Sequence, residues 1–238
     1  MKKTLAIILA MVMVLAFAAC GKTKVDPNAK DEGVLDHAAY IAAADGETVT
    51  IEGFITEKTY AQAYGNVNFF IQDGDGAYFV YRMPCTDEDN AKLEIGKKVK
   101  VTGVRTAWSD MNELKEGSAT YEVLEDTYTF ENTDVTSLLD SADLIKYQSM
   151  KVVVKGAAVK NAALYNWDGS GEPGSDLYLD LTVNGKDYTF VVESDLCGAD
   201  SDTYKAVEGL KAGQTIDIEG YMYWYNGPQM WIKTVTVK

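Results

Sequence analysis

Chemistry that needs an imidazole or a thiol has little to work with in this chain. Its 238 residues hold one histidine, His37, and three cysteines, Cys20, Cys85 and Cys197. A zinc site needs clustered His and Cys ligands at short spacing, and that pattern is missing. His37 lies in an Ala-rich stretch, and no G-x-S-x-G, G-x-x-x-x-G-K-[ST] or H-E-x-x-H pattern occurs anywhere. Asp73-Gly74-Asp75 and Asp168-Gly-Ser-Gly-Glu172 alternate oxygen ligands but lack the bidentate Glu that a calcium loop places downstream, so hairpin or solvated loop is the better reading. Carboxylates number 36, enough for pairs to arise from composition alone. The expectation is no catalytic residue, no metal and no cofactor: a binding or interaction protein rather than an enzyme.

The 36 acidic side chains face 22 basic ones, a net charge of −14. Such a surface repels polyanions. Non-specific nucleic-acid binding rests on Lys and Arg displacing counterions and is disfavoured here unless a basic patch survives locally. Lys2 and Lys3 precede an apolar run from Leu5 to Ala19, the layout of a signal peptide and too short for a span of about 20 residues. The run ends in Phe17-Ala18-Ala19-Cys20-Gly21, which resembles a bacterial lipoprotein signal, with Phe17 where that family usually has Leu. The resemblance implies that residues 1–19 are removed and that Cys20 is lipidated. The protein would then sit in the cell envelope, anchored to the outer face of the cytoplasmic membrane, or to the outer membrane of a diderm cell. An ordinary secreted protein cut near Ala19 is the alternative. Residues 20–33 are polar and aperiodic and read as a flexible tether.

The elements that must position any site are set by a repeat. Leu93-Glu-Ile-Gly-Lys-Lys-Val-Lys-Val-Thr-Gly103 recurs by residue class as Leu210-Lys-Ala-Gly-Gln-Thr-Ile-Asp-Ile-Glu-Gly220, which predicts two copies of one domain, 34–131 and 132–238. In the first copy an Ala-rich helical turn precedes an alternating strand from Thr48, with Val49, Ile51 and Ile55 on one face and Gly53 marking a bulge or bend. Strands over 66–72 and 77–83 flank the Asp73-Gly-Asp-Gly76 turn. A helix capped at Thr86 follows. Strand four runs from Lys97 to Trp108 with Val99 and Val101 inward, and strand five spans 118–130 across a polar loop. The second copy repeats this order, with strands at 152–156, 177–183 and 188–193, a helix over 201–209, and a closing hairpin around Asn226-Gly227. Cys85 and Cys197 each follow the third strand of their copy, as a disulfide between copies or as two idle thiols.

Five strands, a helix between the third and fourth, a mid-strand Gly in the first and an L-x-x-G-x-x-V-x-V-x-G approach to the fourth resemble an OB-fold. The chain is thus expected to be all-β with short helices, two tandem five-stranded OB-fold-like barrels. It is similar to the OB-type domains of extracellular nucleases and uncharacterised lipoproteins, which implies an accessory binding or spacer role without the nuclease chemistry. OB-folds bind along strands two and three, between the loops joining strands one to two and four to five. That resemblance points to Tyr60, Tyr64, Asn66 and Asn68, and to Trp108 with Asn112, in the first copy. In the second it points to Tyr165, Asn166 and Trp167.

The closing hairpin adds Tyr221, Tyr223, Trp224, Tyr225 and Trp231. Strict alternation about a two-residue Asn226-Gly227 turn puts Met222, Trp224 and Trp231 on the core side, with Tyr221, Tyr223, Tyr225, Met230 and Ile232 outward. The same parity drives Lys233 inward, where an unpaired charge is costly. A bulge at Gly220 that flips one half of the hairpin is therefore predicted, and either face is aromatic.

An exposed Tyr/Trp platform with an Asn- and acid-rich rim suits stacking on sugars, and nucleobases can use it too. The expected function is a membrane-anchored, extracytoplasmic, non-catalytic binding module. Its ligand would be a carbohydrate or another small or extended molecule, such as a peptide, stacked on aromatics. The alternatives are a single-stranded oligonucleotide binder, or a structural accessory subunit that meets a protein partner and holds no small ligand, its rings packing against the other copy. For the anchor, Cys20→Ser is expected to move the protein from the membrane fraction to the soluble fraction. Unchanged membrane association of that variant would rule out lipidation at Cys20.

Overall fold

A computed structural model describes residues 25–238; residues 1–24, with the leader and Cys20, lie outside the described residues. In it the first strand, β1 (Thr48–Ala61), is long enough to serve two neighbours. Its first half, Thr48–Phe54, pairs with β4 (Lys97–Trp108), and its second half, Phe54–Ala61, pairs with β2 (Asn66–Gln72). The strand turns from one partner to the other at Gly53, where a Cβ would lie 2.6 Å from Ile71 Cγ2 and 2.8 Å from the Gln72 carbonyl oxygen. The expected bulge falls just beyond, between Ile55 and Glu57.

The sheet continues through β3 (Ala77–Pro84) to β5 (Met111–Leu114), which runs parallel to β3 and antiparallel to β4 and so closes a five-stranded barrel. Inside lie Ile51, Ile55, Val67, Phe69, Ile71, Val80, Val99 and Val101, with the lid residue Leu93 just past helix α2 (Asp87–Lys92). Thr86 caps α2 in a reciprocal capping box with Asp89, and helix α1 (His37–Ala42) packs Tyr40 onto the same core.

The second barrel repeats the order. Strands β8 (Lys151–Val159), β10 (Leu177–Val183), β11 (Lys186–Val192), β12 (Thr215–Tyr221) and β13 (Trp231–Val237) pair 8-10-11-13-12-8, and helix α3 (Asp202–Glu208) lies between β11 and β12. Two short strands, β7 (Thr133–Asp134) and β9 (Leu164–Tyr165), extend its sheet. Val152, Val154, Leu179, Phe190, Ile216 and Ile218 fill its core. The repeated stretch does the same work in both copies: Leu93 and Leu210 are buried, and Gly96 and Gly213 turn the chain with φ of 89° and 87°.

Two expectations change. Strand five of the first barrel is β5, inside the stretch read as a polar loop. Ser109 and Asp110, at φ of 49° and 67°, form a two-residue turn that doubles the chain back beside Trp108. The segment read as strand five is β6 (Thr120–Thr127), an added strand along the first half of β4. Residues 25–33 are no free tether either. The Ala29 carbonyl accepts from Lys98 Nζ at 2.6 Å, Lys30 pairs with buried Asp73, and Asp31 pairs with Lys100. Cys85 and Cys197 are both free and buried in different cores, so no disulfide joins the copies.

The closing hairpin carries the predicted bulge. Glu219 pairs with Thr234, but Gly220 pairs with Ile232. The slip turns Met222, Met230 and Ile232 into the core, sends Tyr221, Tyr223 and Trp231 to the barrel exterior, and frees Lys233 to pair with Glu57 at 2.8 Å. The assignment of Trp231 to the core side and of Met230 and Ile232 to the outside is thereby reversed. A Cβ on Gly220 would overlap the Trp231 carbonyl oxygen. Gly220→Ala is expected to cost about 2–3 kcal/mol through that overlap, read as a Tm drop of several degrees in thermal unfolding.

Candidate functional site

On β2, Asn66, Asn68 and Phe70 alternate onto the outer face of the first barrel, and on β3 Phe79 and Tyr81 do the same. This is the face that OB-folds use for ligands. Its lower half is covered by the second barrel. Phe70 stacks on Tyr221 with ring centroids 4.7 Å apart and meets Trp231 edge-on at 5.4 Å. Phe79 meets Tyr223 and Trp231 edge-on at 5.6 and 5.7 Å, and Tyr223 stacks on Trp231 at 4.6 Å. Met111 and Val191 complete this dry block.

Polar bonds ring the block. Tyr221 Oη donates to the Thr56 carbonyl at 2.8 Å. Gln148 Nε2 donates to the Asp110 carbonyl at 2.6 Å while its Oε1 accepts from Asn112 Nδ2 at 2.8 Å. The Asn226 amide donates to the Ser109 carbonyl at 2.8 Å, joining the four-to-five loops of the two barrels.

The upper half of the face stays open as a cleft of about 610 Å³. Asn66, Asn68 and Tyr81 form its floor, and Tyr64 and Trp108, 83% and 52% exposed, stand at its sides. The β3 strand bulges here, so that Asn68 faces both Tyr81 and Arg82, and Arg82 is held at a φ of 42°. Asn68 Oδ1 accepts from the Arg82 amide at 2.8 Å, and the guanidinium lies 5.0 Å from the Tyr81 ring centroid and 3.6 Å from Glu116. Such a conformation is disfavoured for Arg and persists because surrounding bonds hold it, which is common at ligand sites.

Two carboxyls line the cleft from opposite barrels. Glu113 is 6% exposed, with no hydrogen bond or ion pair to its carboxyl among the described residues, and burial pushes its pKa up to about 7, with Glu116 adding to the shift. Glu193, just past β11, is pushed up to about 8 by burial and then by Asp176 and Asp195. Counting Glu116 and Asp195, four carboxyls face the two bases Arg82 and Lys115.

The aromatics named from sequence separate into groups. Tyr64 and Trp108 reach the cleft, and Tyr225 leans on Trp108 at 5.3 Å. Tyr221, Tyr223 and Trp231 are not an exposed platform: they are buried against Phe70 and Phe79, and only parts of Tyr223 and Trp231 reach the cleft wall. Trp224 is half-buried between that block and the second core. Tyr165 donates to Glu208, and Trp167 is exposed on the same loop; neither lines the cleft. Tyr60 bonds Asp87 at 2.6 Å. Asp73 is no calcium ligand; it accepts from the Asp75 and Gly76 amides and from Tyr78, each at 2.7 Å. Among the described residues no cluster of His, Cys, Asp and Glu could hold a metal. His37 packs over Gly76 against Tyr78, and burial lowers its pKa. Missed from sequence were Tyr81, Arg82, Glu113 and Glu193. Their positions on β3, β5 and the end of β11 signal nothing until the barrels meet.

No protein-family model matches the chain, and no curated protein matches it. Among solved structures it is similar to a murine DNA-binding protein bound with double-stranded DNA, at 10% identity over 79% of this chain and 97% of that one, TM-score 0.36. It is also similar to a replication protein A heterotrimer bound to single-stranded DNA, at 12% over 83% and 51%, TM-score 0.34. A third likeness is to the single-stranded DNA-binding protein of Thermus aquaticus, at 14% over 82% and 94%, TM-score 0.28. Likeness at TM-scores below 0.5 assigns no ligand to this chain.

The two raised carboxyls link stability to pH. An unfolded Glu ionises near pH 4.3, so between that pH and about 8 the folded state holds more protons. The stability from Glu113 and Glu193 is therefore present at acid pH and is lost as pH rises through 7 and 8. His37, shifted downward, acts with the opposite sign, losing stability as pH falls through its unfolded value. Comparison with the Glu113→Gln/Glu193→Gln variant isolates the acids. Its Tm is expected to change less than the parent's between pH 5 and 9, and equal slopes would refute the assignment.

Proposed function

We propose that the chain is a non-catalytic binding module that holds a ligand in the inter-barrel cleft, stacked between Tyr64 and Trp108. The observation that carries this reading is the cleft's position. It is the uncovered half of the β2–β3 face, and it gathers exposed rings, two Asn side chains and a strained Arg82 in one concavity. Ring faces beside amide groups suit a polyhydroxylated ligand of the carbohydrate class. The chain's net charge of −14 disfavours a polyphosphate. In the envelope, a lipid on Cys20 would act over a short reach. Asn28 already lies against Gly74, and eight intervening steps of extended chain span roughly 28 Å, which would hold the first barrel close to the bilayer.

A second reading, a single-stranded nucleic acid, is the ligand class of two of the similar structures. On this chain its support is Arg82 and Lys115 beside the stacking rings. Salt separates the two classes, because each phosphate contact adds to a steep loss of affinity as salt rises, whereas stacking on a neutral glycan responds little. Glycan and oligonucleotide arrays, followed by titration at low and high salt, are expected to return a salt-insensitive glycan weakened about tenfold by Trp108→Ala. A salt-steep oligonucleotide would select the second reading, and no hit of either class would leave only an accessory role.

A further inference from the structure

The inner wall of the cleft is built for charge of one sign. Tyr81, Tyr223 and Trp231 meet there, and Glu113 and Glu193 face it from the two barrels. Burying Glu113 without a partner is costly, and nothing in the barrel fold requires it: β5 needs only Met111 and Leu114 for packing. A nine-tenths buried, unpartnered carboxyl turned into a cavity walled in part by aromatic rings matches the recognition of an organic cation, whose charge is attracted to the acid while its alkyl groups pack on the rings. The neighbouring bases do not fill this role. Arg82 lies over Tyr81 beside Glu116, and Lys115 forms no ion pair within 4.0 Å among the described residues.

We propose that this end of the cleft takes an alkylammonium group carried by the ligand, its alkyl groups held against Tyr223 and Trp231 and its charge matched by Glu113 and Glu193. The inference rests on the cleft being the binding site and names the chemistry of one part of what it binds. A cation entering here must ionise the acids, so binding releases protons and tightens as pH rises. Glu116, Tyr40, Tyr81 and Tyr223 face Glu113, and Asp176, Asp195, Tyr178, Tyr81 and Tyr223 face Glu193, with Arg82 and Lys115 as the bases of the same cleft. The remaining acids on this wall reinforce the preference for a cation.

The test uses choline, whose charge does not titrate, and its uncharged isostere 3,3-dimethyl-1-butanol, each titrated calorimetrically into the full-length chain in detergent at pH 6 and pH 9. Choline is expected to bind at least about 10-fold tighter at pH 9, since an acid with a pKa of about 7 is only about one-tenth ionised at pH 6; the isostere should show no such change. Glu113→Gln and, separately, Glu193→Gln should weaken choline at pH 9 and flatten its pH dependence while each variant keeps the parent's circular dichroism. Absence of choline binding at pH 9, equal binding of the isostere, or pH-independent binding would each overturn the proposal. The first comparison needs no variant, so a misfolded substitution cannot shield it. If a glycan or oligonucleotide binds and choline does not, the ammonium site is wrong and the cleft stands; if nothing binds, both fall.

Discussion

The placement of the two barrels, and with it the shape of the ligand face, depends on the interlock of Phe70 and Phe79 with Tyr221, Tyr223 and Trp231. Edge-to-face and offset pairs of this kind contribute about 0.5–1.5 kcal/mol each beyond their burial, and four of them join the two barrels. They are directional, so they fix how one barrel sits on the other rather than merely holding the two together. The surrounding bonds from Gln148, Tyr221 and Asn226 satisfy polar groups at the edge of the block, while Trp231 Nε1 is buried without a partner inside it.

That placement also decides what the ligand face can be. An isolated first barrel would present the full outer surface of β2 and β3. Docking covers Phe70 and Phe79 and converts the rest into a cleft with a second wall. Desolvation is the largest cause of the raised pKa of both Glu113 and Glu193, which line this cleft from the two barrels. The aromatic block is thus structural, and its edge is chemical: Tyr223 and Trp231 serve the interface with one part of the ring and the cavity with another.

At the far end of the first barrel, Asp73 organises the N-terminal segment. Its carboxylate, fully buried, is satisfied by two backbone amides, Tyr78 and Lys30. A charge so placed is stable only while each partner stays, which explains how a polar stretch with no apolar periodicity comes to lie along the barrel. Gly74 and Gly76 leave room for Asn28 and His37 against the same hairpin.

The sequence alone determined the two copies, the order of their strands, and much of their register. Alternation fixes which side of a strand is buried, as at Ile51, Val99 and Val101, and a positive-φ turn such as Asn184-Gly185 or Gly96 is written in local residue choice. Even the bulge at Gly220 was legible, because burying Lys233 would cost more than slipping the register. Local pattern could not reveal β5, whose Met111 faces the other barrel while Leu114 faces its own core, so neither period shows. Nor could it tell a ring exposed for recognition from a ring buried by a partner domain. Tyr64 and Trp108 are free and Tyr221 is covered because the barrels dock where they do, and the aromatic contacts that dock them join residues more than a hundred positions apart in the chain, beyond the reach of any local sequence pattern.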